Sequence, residues 1–184
     1  MFDRGQKNRE ISLAIFIVGV IMIGTSCSSI PKGATAIQPF DSTRYLGKWY
    51  EIARFDFTFE KNLNNTTAEY SLNSDGTIRV ENTGYNYKKG KWVKAIGRAI
   101  FRETSSIAKL GVSFFGPFYA GYNVIMLDNY YKYALIAGQN LNYLWILSRD
   151  KFIPDEIKKQ YLFEAERLGF KTQKLIWVDQ NKEK

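Results

Sequence analysis

The sequence predicts an all-β protein, namely an eight-stranded antiparallel up-and-down β-barrel with one C-terminal α-helix packed outside it and a short final strand. Eight β-like runs follow one another between residues 49 and 149, with turn residues between them, at the regular spacing of a sandwich or barrel. Aromatic residues, which favour strands, make up 16% of the chain. Eight antiparallel strands close into a barrel wide enough to hold one small ligand.

The first 26 residues are predicted to be a lipoprotein signal peptide. A basic start precedes an uncharged apolar run over residues 11–24, which is shorter than the about 20 residues of a membrane span. Small residues follow this run and end at Cys27, the single cysteine of the chain. Because the layout resembles a bacterial lipoprotein signal, we expect Cys27 to carry the lipid. An ordinary cleaved signal and an uncleaved anchor are the alternatives.

Residues 27–40 are predicted to be the lipidated N-terminus and a tether, since they are rich in proline and glycine and lack a hydrophobic period. The residue after the lipidated cysteine is Ser28 rather than Asp, which indicates sorting to the outer membrane. We therefore expect a protein anchored in the cell outer membrane by the lipid on Cys27. The folded domain is predicted over residues 41–180.

The eight predicted strands are separated by polar turns. The turn NSDG at residues 73–76 is a strong hairpin signal, and KKGK at residues 88–91 is a second polar turn. The predicted strands are WYEIARF (49–55), TTAEYSL (66–72), TIRVENTGYN (77–86), WVKAIGRAIFR (92–102), AKLGVSFF (108–115), YNVIMLD (122–128), YKYALIAG (131–138) and YLWILSR (143–149).

One helix is predicted after the eighth strand. It begins near Pro154, which suits a first helical turn, and Gly169 is placed to end it. Between them, apolar residues recur at helical spacing: Ile157, Tyr161, Ala165 and Leu168. With one apolar stripe, such a helix lies against the outside of a closed sheet. TQKLIWVD at residues 172–179 is predicted to be the short final strand.

The composition argues against most enzymes. The chain has no His, which excludes Ser-His-Asp and Cys-His chemistry and His-ligated metals, and one Cys, which excludes an internal disulfide. We therefore expect no catalytic residue, no cofactor and no metal site. Glu51 and Glu69 are the only acids near the strand faces that would line a pocket. The net charge of +8 comes from scattered Lys and Arg, which indicates a solvated surface or attraction to anionic lipid. A nucleic-acid partner is not expected, because the sequence has no motif for binding one.

Three motifs resemble those of the lipocalins. They are the Gly47-Lys48-Trp49 triplet on the first strand, FFGPF at residues 114–118, and LWILSRD at residues 144–150. The resemblance covers residues 40–178 and implies the lipocalin barrel, most similar to the lipid-anchored bacterial type.

The resemblance also assigns structural roles to a few residues. It implies that Gly47, Trp49 and Arg149 form the floor of the barrel, with the guanidinium packed across the indole, a contact that contributes roughly 0.5–2 kcal/mol. It also implies that Asp128 orders the loop after the sixth strand.

Strand alternation, together with the resemblance, predicts which residues face a ligand cavity. The set is mostly apolar with a few phenols, which suits a long acyl chain. For each residue, ordinary core filling is the alternative, since an eight-stranded barrel can also be solid. The predicted cavity residues are Ala53, Tyr70, Val80, Ala99, Val112, Phe114, Tyr122, Val124, Tyr143 and Trp145.

The function expected from these features is that of a membrane-anchored lipid-binding lipoprotein. It would hold a fatty acid or a lysophospholipid in the barrel, for storage or transport of envelope lipids. The alternative is a non-catalytic structural or adhesive envelope lipoprotein that uses the barrel as a scaffold. Four locations are open for the apolar segment at residues 114–119. It could line the mouth of the barrel, touch a membrane, contact another subunit in a homodimer, or pack against the barrel. Lys88, Lys89 and Lys91 attract lipid phosphate or form a solvated turn.

Overall fold

A computed structural model describes residues 29–58 and 60–181. The predicted signal peptide and the predicted lipidation site, Cys27, lie outside these residues. The elements are, in chain order, α1 (Ser42–Tyr45), β1 (Gly47–Arg54), β2 (Leu63–Leu72), β3 (Ile78–Asn86), β4 (Lys91–Phe101), β5 (Lys109–Ser113), β6 (Ala120–Leu127), β7 (Tyr133–Ala137), β8 (Leu144–Ser148), α2 (Asp155–Arg167), a 3₁₀ turn (Thr172–Lys174) and β9 (Ile176–Trp177).

The first eight strands form a closed antiparallel barrel. Each strand pairs with the next one along the chain, and β1 also pairs with β8, so the sheet has no free edge within the barrel. The short strand β9 pairs with β1 from outside the barrel, with Ala53 opposite Trp177. The predicted fold class is therefore confirmed. The final strand is shorter than expected, because Thr172–Lys174 form a 3₁₀ turn instead of extended backbone.

Strand alternation divides the core into two parts. One face of each strand points into the barrel, where Trp49, Val124 and Ile136 belong to a buried interior cluster. The outer faces of β6, β7, β8 and β1 carry a second apolar cluster, which includes Leu135 and is covered by α2. The helix packs outside the barrel, as the single apolar stripe predicted.

The segment at residues 29–40 packs on the barrel, whereas the sequence predicted a tether. Ile30 and Ala34 contact the outer cluster, and Phe40 is buried in the interior cluster. The backbone N–H of Ile37 donates to the carbonyl of Val124 at 2.9 Å. The sequence predicted a tether because the apolar side chains of this segment do not recur at a regular period. These side chains nevertheless cover the outer face of β6.

The barrel floor brings Trp49 and Arg149 into contact, as the sequence predicted. The Arg149 guanidinium carbon lies 3.9 Å from the centre of the indole ring, and the Trp49 side chain is fully buried. The indole Nε1 donates to the carbonyl of Tyr45 at 2.8 Å. Gly47 has a φ of +89°, a conformation that glycine adopts without strain, and its backbone passes close beneath the guanidinium.

Arg149 also ties two distant segments of the chain to the end of β8 through backbone carbonyls. Its guanidinium donates to carbonyls in the continuous stretch from α1 to the start of β1 and to one in the loop between β6 and β7. The accepting carbonyls belong to Arg44, Tyr45, Leu46, Lys48 and Tyr131, at distances of 2.7–3.2 Å. A planar fork of donors is required for this pattern, so a lysine is not an equivalent residue.

Asp128 orders the neighbouring loop, as predicted. Its carboxylate accepts from the backbone N–H of Tyr130 at 2.9 Å and from those of Lys132 and Tyr133 at 2.6 Å each. A carboxylate that accepts several backbone donors stabilises a tight loop. This loop carries the Tyr131 carbonyl to Arg149, so the two features form one structure.

We predict that Arg149→Lys lowers the free energy of unfolding by about 2 kcal/mol, because an ammonium cannot keep the forked hydrogen bonds to carbonyls of both segments. Urea denaturation measures the change. The matched control is Arg44→Lys, since Arg44 also lies over an aromatic ring but its guanidinium donates to a single carbonyl, that of Asn129. Equal losses for the two variants would contradict the role assigned to Arg149.

Candidate functional site

The two ends of the barrel differ. The floor of Trp49 and Arg149 closes the end at which β1 begins. At the opposite end, which we call the open end, four loops join successive strands: residues 55–62, 87–90, 114–119 and 138–143. The space inside the barrel therefore has a lower lumen above the floor and an upper lumen below these loops.

Three tyrosines fill the lower lumen. The Tyr122 hydroxyl shares hydrogen bonds with the hydroxyls of Tyr45 at 2.7 Å and Tyr70 at 2.9 Å. Burial raises the pKa of all three phenols above their ordinary value, so they remain neutral at physiological pH. The three rings also pack together, with Tyr45 next to Trp49 at 4.8 Å between ring centres.

Little space remains between these rings. The void beside them has a volume of about 10 Å³, close to the minimum that one water molecule requires. It is lined by Phe40, Ser42, Tyr45, Tyr70, Ile78, Ala99, Leu110, Val112 and Tyr122. The lower lumen is therefore mostly packed core, and an acyl chain has room there only if side chains move.

The upper lumen is open to solvent. Ala95 lies opposite Asn82, which in turn lies opposite the buried interior residue Ala68, so all three share the inner face of the sheet. Ala95 is nevertheless exposed. Since the neighbouring Ile96 is exposed on the outer face, both faces of β4 contact solvent at this level. This is the strongest sign of a ligand space in the barrel.

The walls of the upper lumen are aromatic on two sides. Phe114 and Trp145 are partly buried against the interior cluster, and Tyr143 stacks on Trp145 with ring centres 6.2 Å apart. The Asn82 Oδ1 atom is buried from solvent and accepts no hydrogen bond from the described residues. The wall that these aromatic side chains form is predominantly apolar, as in most small-molecule sites.

Gly97, on the inner face of β4, does not add open volume to the lumen. A Cβ atom at this position would come within 2.8 Å of the Phe114 ring and 2.7 Å of the Ser113 carbonyl oxygen. The Phe114 side chain thus occupies the space that the missing side chain leaves. The open volume comes from Ala95 instead.

A buried group of charges forms one side of the upper lumen. Arg54 lies opposite Trp145 on β8, and its Nη1 donates to a Glu51 carboxylate oxygen at 2.7 Å. Its Nη2 donates to the carbonyls of Glu60 and Leu63 at 2.8 and 3.0 Å. The indole Nε1 of Trp145 donates to the Glu60 carboxylate at 3.3 Å.

This group holds two acids for one base, and all three side chains are buried. Glu51, Arg54 and Glu60 are 4%, 1% and 8% exposed, respectively. Burial raises the pKa of Glu60 well above its ordinary value of 4.5, and the neighbouring charge of Glu51 raises it further. Burial also raises the pKa of Glu51, against the opposing effect of Arg54. The protonated form of Glu60 is thus the form that the fold favours.

One predicted cavity residue, Ala53, lies on the wrong face. The register between β1 and β8 shifts between Glu51 and Ala53, so that Ala53 lies opposite Ile146 and joins the outer cluster beneath α2. A β-bulge of this kind inverts the alternation beyond it. The same bulge turns Arg54 inward.

The structure distributes the other predicted cavity residues between the two lumens. Their contact with a ligand remains a prediction. In the lower lumen or at its border lie Tyr70, Val80, Ala99, Val112, Tyr122 and Val124. In the upper lumen lie Phe114, Tyr143 and Trp145. Of the two acids considered, Glu51 is buried and Glu69 is exposed.

Three residues of the site escaped sequence reasoning. Tyr45 comes from α1, outside the strands to which alternation applies. Arg54 follows a bulge, and Glu60 comes from a loop. The only available signal was the recurrence of opposite charges at Glu51, Arg54 and Glu60 around the end of one predicted strand.

The described part of the chain has no arrangement of side chains typical of a metal site. No group of three or more His, Cys, Asp or Glu residues there is arranged to hold a metal ion. No helix there is long and apolar enough to cross a membrane.

Comparison with known proteins gives consistent matches. The family model described as a lipocalin-like domain matches residues 40–180. The chain is 51% identical to outer membrane lipoprotein Blc of Citrobacter freundii over 168 residues, which are 91% of this chain and 95% of that protein. It is 50% identical to outer membrane lipoprotein Blc of Escherichia coli (strain K12) over 160 residues, 87% of this chain and 90% of the relative. The structure of lobster apocrustacyanin A1 superposes with a TM-score of 0.65 at 19% identity, over 83% of this chain and 91% of that one, which supports the fold.

The buried acids predict a pH-dependent stability. Because the folded state raises the pKa of Glu60, the folded protein binds more protons than the unfolded chain above about pH 4.5. Its stability therefore falls as the pH rises through that range towards the raised pKa. We predict that Glu60→Gln, which mimics the protonated acid, flattens this decline. Thermal unfolding at pH 5 and pH 8 measures it, with the exposed Glu69→Gln as the control, and an unchanged pH dependence in Glu60→Gln would refute the assignment.

Proposed function

This chain belongs to the lipocalin family, and from that premise we propose that it is a membrane-anchored lipoprotein that holds fatty acids or lysophospholipids in its barrel. The proposed role is storage or transport of envelope lipids. Binding, rather than chemical transformation, is the activity that we infer. The observation that carries the proposal is the exposed Ala95 on the inner face of a barrel whose opposite end is closed.

The upper lumen suits the apolar part of such a ligand. Phe114 and Trp145 provide flat apolar walls, while Ala95 leaves room beside them. Transfer of each methylene group from water into such surroundings contributes about 0.8 kcal/mol before the costs of ordering. Affinity should therefore rise with chain length by at most about fourfold per methylene until the lumen is filled.

Polar groups near the open end suit the head of the ligand. Lys61, Lys88 and Lys89 are exposed on the loops of the open end, where an ammonium group can pair with a carboxylate or a phosphate.

The outer membrane is the location of this chain, in line with the relatives named outer membrane lipoproteins. We propose that the anchor is a lipid on Cys27, after removal of residues 1–26. Several acyl chains on one residue anchor a protein stably, whereas one chain binds marginally.

A scaffold function is the second candidate, and the packed lower lumen favours it. With a void of about 10 Å³ beside Tyr70 and Tyr122, a barrel filled to the same degree along its whole length would hold no lipid. In that case the chain would be a structural or adhesive envelope lipoprotein. Ligand binding in the upper lumen separates the two candidates.

We predict that Ala95→Trp weakens the binding of lysophosphatidylethanolamine at least about tenfold, because an indole would fill the upper lumen. Quenching of intrinsic Trp fluorescence during a lipid titration, calibrated separately for each variant, measures the dissociation constant. The matched control is Ile96→Trp, which adds the same side chain to the outer face of the same strand. Equal affinity in the two variants would place the ligand elsewhere. If none of the three proteins, the two variants and the unsubstituted chain, binds the lipid saturably, the scaffold function is favoured.

We also predict that the protein purified from bacterial membranes begins at Cys27 and carries the mass of acyl chains on that residue. Mass spectrometry of the intact chain and of its N-terminal peptide measures this. Cys27→Ser should lack the acyl mass, and Ser28→Ala should retain it. A wild-type chain that keeps residues 1–26, or that begins at another residue, would contradict the anchor.

A further inference from the structure

We propose that the open end of the barrel faces an anionic phospholipid bilayer, so that the upper lumen opens onto the membrane surface. The inference rests on the proposed function in one respect, the lipid anchor at Cys27. It goes beyond that function in assigning the orientation of the barrel and the surface that touches the bilayer.

The first observation is the place where the described chain begins. The Ser29 carbonyl accepts a hydrogen bond from the Asn123 side chain at 2.8 Å, on the outer face of β6. It also lies so close to Gly121 that a Cβ atom there would overlap it. Gly121 is the second residue of β6, which begins at the open end. The chain therefore reaches the barrel beside the open end.

The second step is the reach of the anchor. Cys27 precedes Ser29 by two residues, and two residues span at most about 7 Å when fully extended. Along β6, the seven residues from Gly121 to Leu127 separate the two ends of the barrel by about 20 Å. An anchor of this length holds the open end near the bilayer and is too short to reach from the bilayer to the closed end.

The charges of the two ends also favour the open end as the one that faces the bilayer. The open-end loops, together with residues 168–175 after α2, carry five lysines against two acids, and one of these acids, Glu60, is buried inside the barrel. The segments at the closed end, residues 40–46, 73–77, 102–108, 128–132 and 149–154, carry five basic and five acidic residues. Anionic lipid headgroups attract the first of these surfaces and not the second.

Apolar side chains at the open end complete the surface. On the loop between β5 and β6, Phe115 and Phe118 are 69% and 81% exposed, and Leu141 on the next open-end loop is 42% exposed. Exposure alone does not orient the molecule, since Tyr130 and Phe152 at the closed end are also exposed. Combined with the lysines and the short anchor, the aromatic loop forms an interfacial contact of the kind that lies at the headgroup boundary.

The orientation has a direct consequence for ligand exchange. An acyl chain leaving the upper lumen would enter the bilayer without crossing bulk water. The transfer cost of about 0.8 kcal/mol per methylene would then not oppose exchange.

A pair of labelled variants tests the orientation. Phe118 and Tyr130 are aromatic, 81% and 80% exposed, and lie at opposite ends of the barrel. Phe118→Cys and Tyr130→Cys are purified as full chains from bacterial membranes, labelled with a nitrobenzoxadiazole fluorophore, and reconstituted in vesicles of phosphatidylethanolamine and phosphatidylglycerol. The lipid on Cys27 occupies its sulfur as a thioether, so the fluorophore reacts with the new cysteine. Lipids that carry a spin label near the headgroup quench fluorophores at the membrane surface.

We expect the label at position 118 to be quenched at least about threefold more strongly than the label at position 130. In the Phe118→Cys background, Lys88→Gln with Lys89→Gln should reduce that quenching at least about twofold. The same charge change at the closed end, Lys132→Gln with Lys151→Gln, should leave it unchanged. Equal quenching at the two positions, or stronger quenching at position 130, would overturn the orientation.

The outcomes also separate this proposal from the proposed function. If the labelled chains carry the acyl mass and bind lysolipid but show equal quenching, the orientation is wrong and the function stands. If the purified chain lacks the acyl mass, the anchor fails, and the orientation fails with it. A contact between position 118 and a second copy of the chain, detected as self-quenching at high protein density with no lipid quenching, would show that the loop faces a subunit and would also overturn the proposal.

Discussion

The contact between Arg149 and Trp49 is the constraint on which the rest of the structure depends. The guanidinium lies on the indole and binds carbonyls of two distant chain segments, so one side chain closes one end of the barrel. Because that end of the described barrel is closed, a ligand that enters along the barrel axis has to enter at the open end. The three hydrogen-bonded tyrosines above the floor add a second layer to the seal.

The closed end sets the division of the interior into a packed and an open half. In the packed half, the tyrosine hydroxyl groups form hydrogen bonds with one another, and burial keeps these groups neutral. In the open half, a small residue, Ala95, faces solvent opposite aromatic walls, and a buried pair of acids shares one arginine. Arg54 donates to the carbonyl of Glu60 and so holds the loop that carries Glu60 against the mouth of the barrel. Loss of this contact would leave a buried charge without its partner, which disfavours movement of the loop.

Much of the fold was predictable because strand alternation and turn residues act locally. The eight strands and the outside helix followed from periodicity and turn residues, whereas the contact of Trp49 with Arg149 and the loop ordered by Asp128 followed from the resemblance to the lipocalins. Ala53 was placed on the wrong face, because a bulge inverts alternation and leaves no clear mark in the sequence. The packing of residues 29–40 on β6 likewise depends on contacts that no period reveals.

Native mass spectrometry of residues 28–184, followed by organic extraction, tests the central claim that the barrel holds a lipid. The account predicts a retained adduct in the mass range of a fatty acid or a lysophospholipid, released by the extraction and restored by adding the lipid back. A clean mass of the protein alone, unchanged after addition of lysolipids of several chain lengths, would contradict the account and leave the barrel as a scaffold.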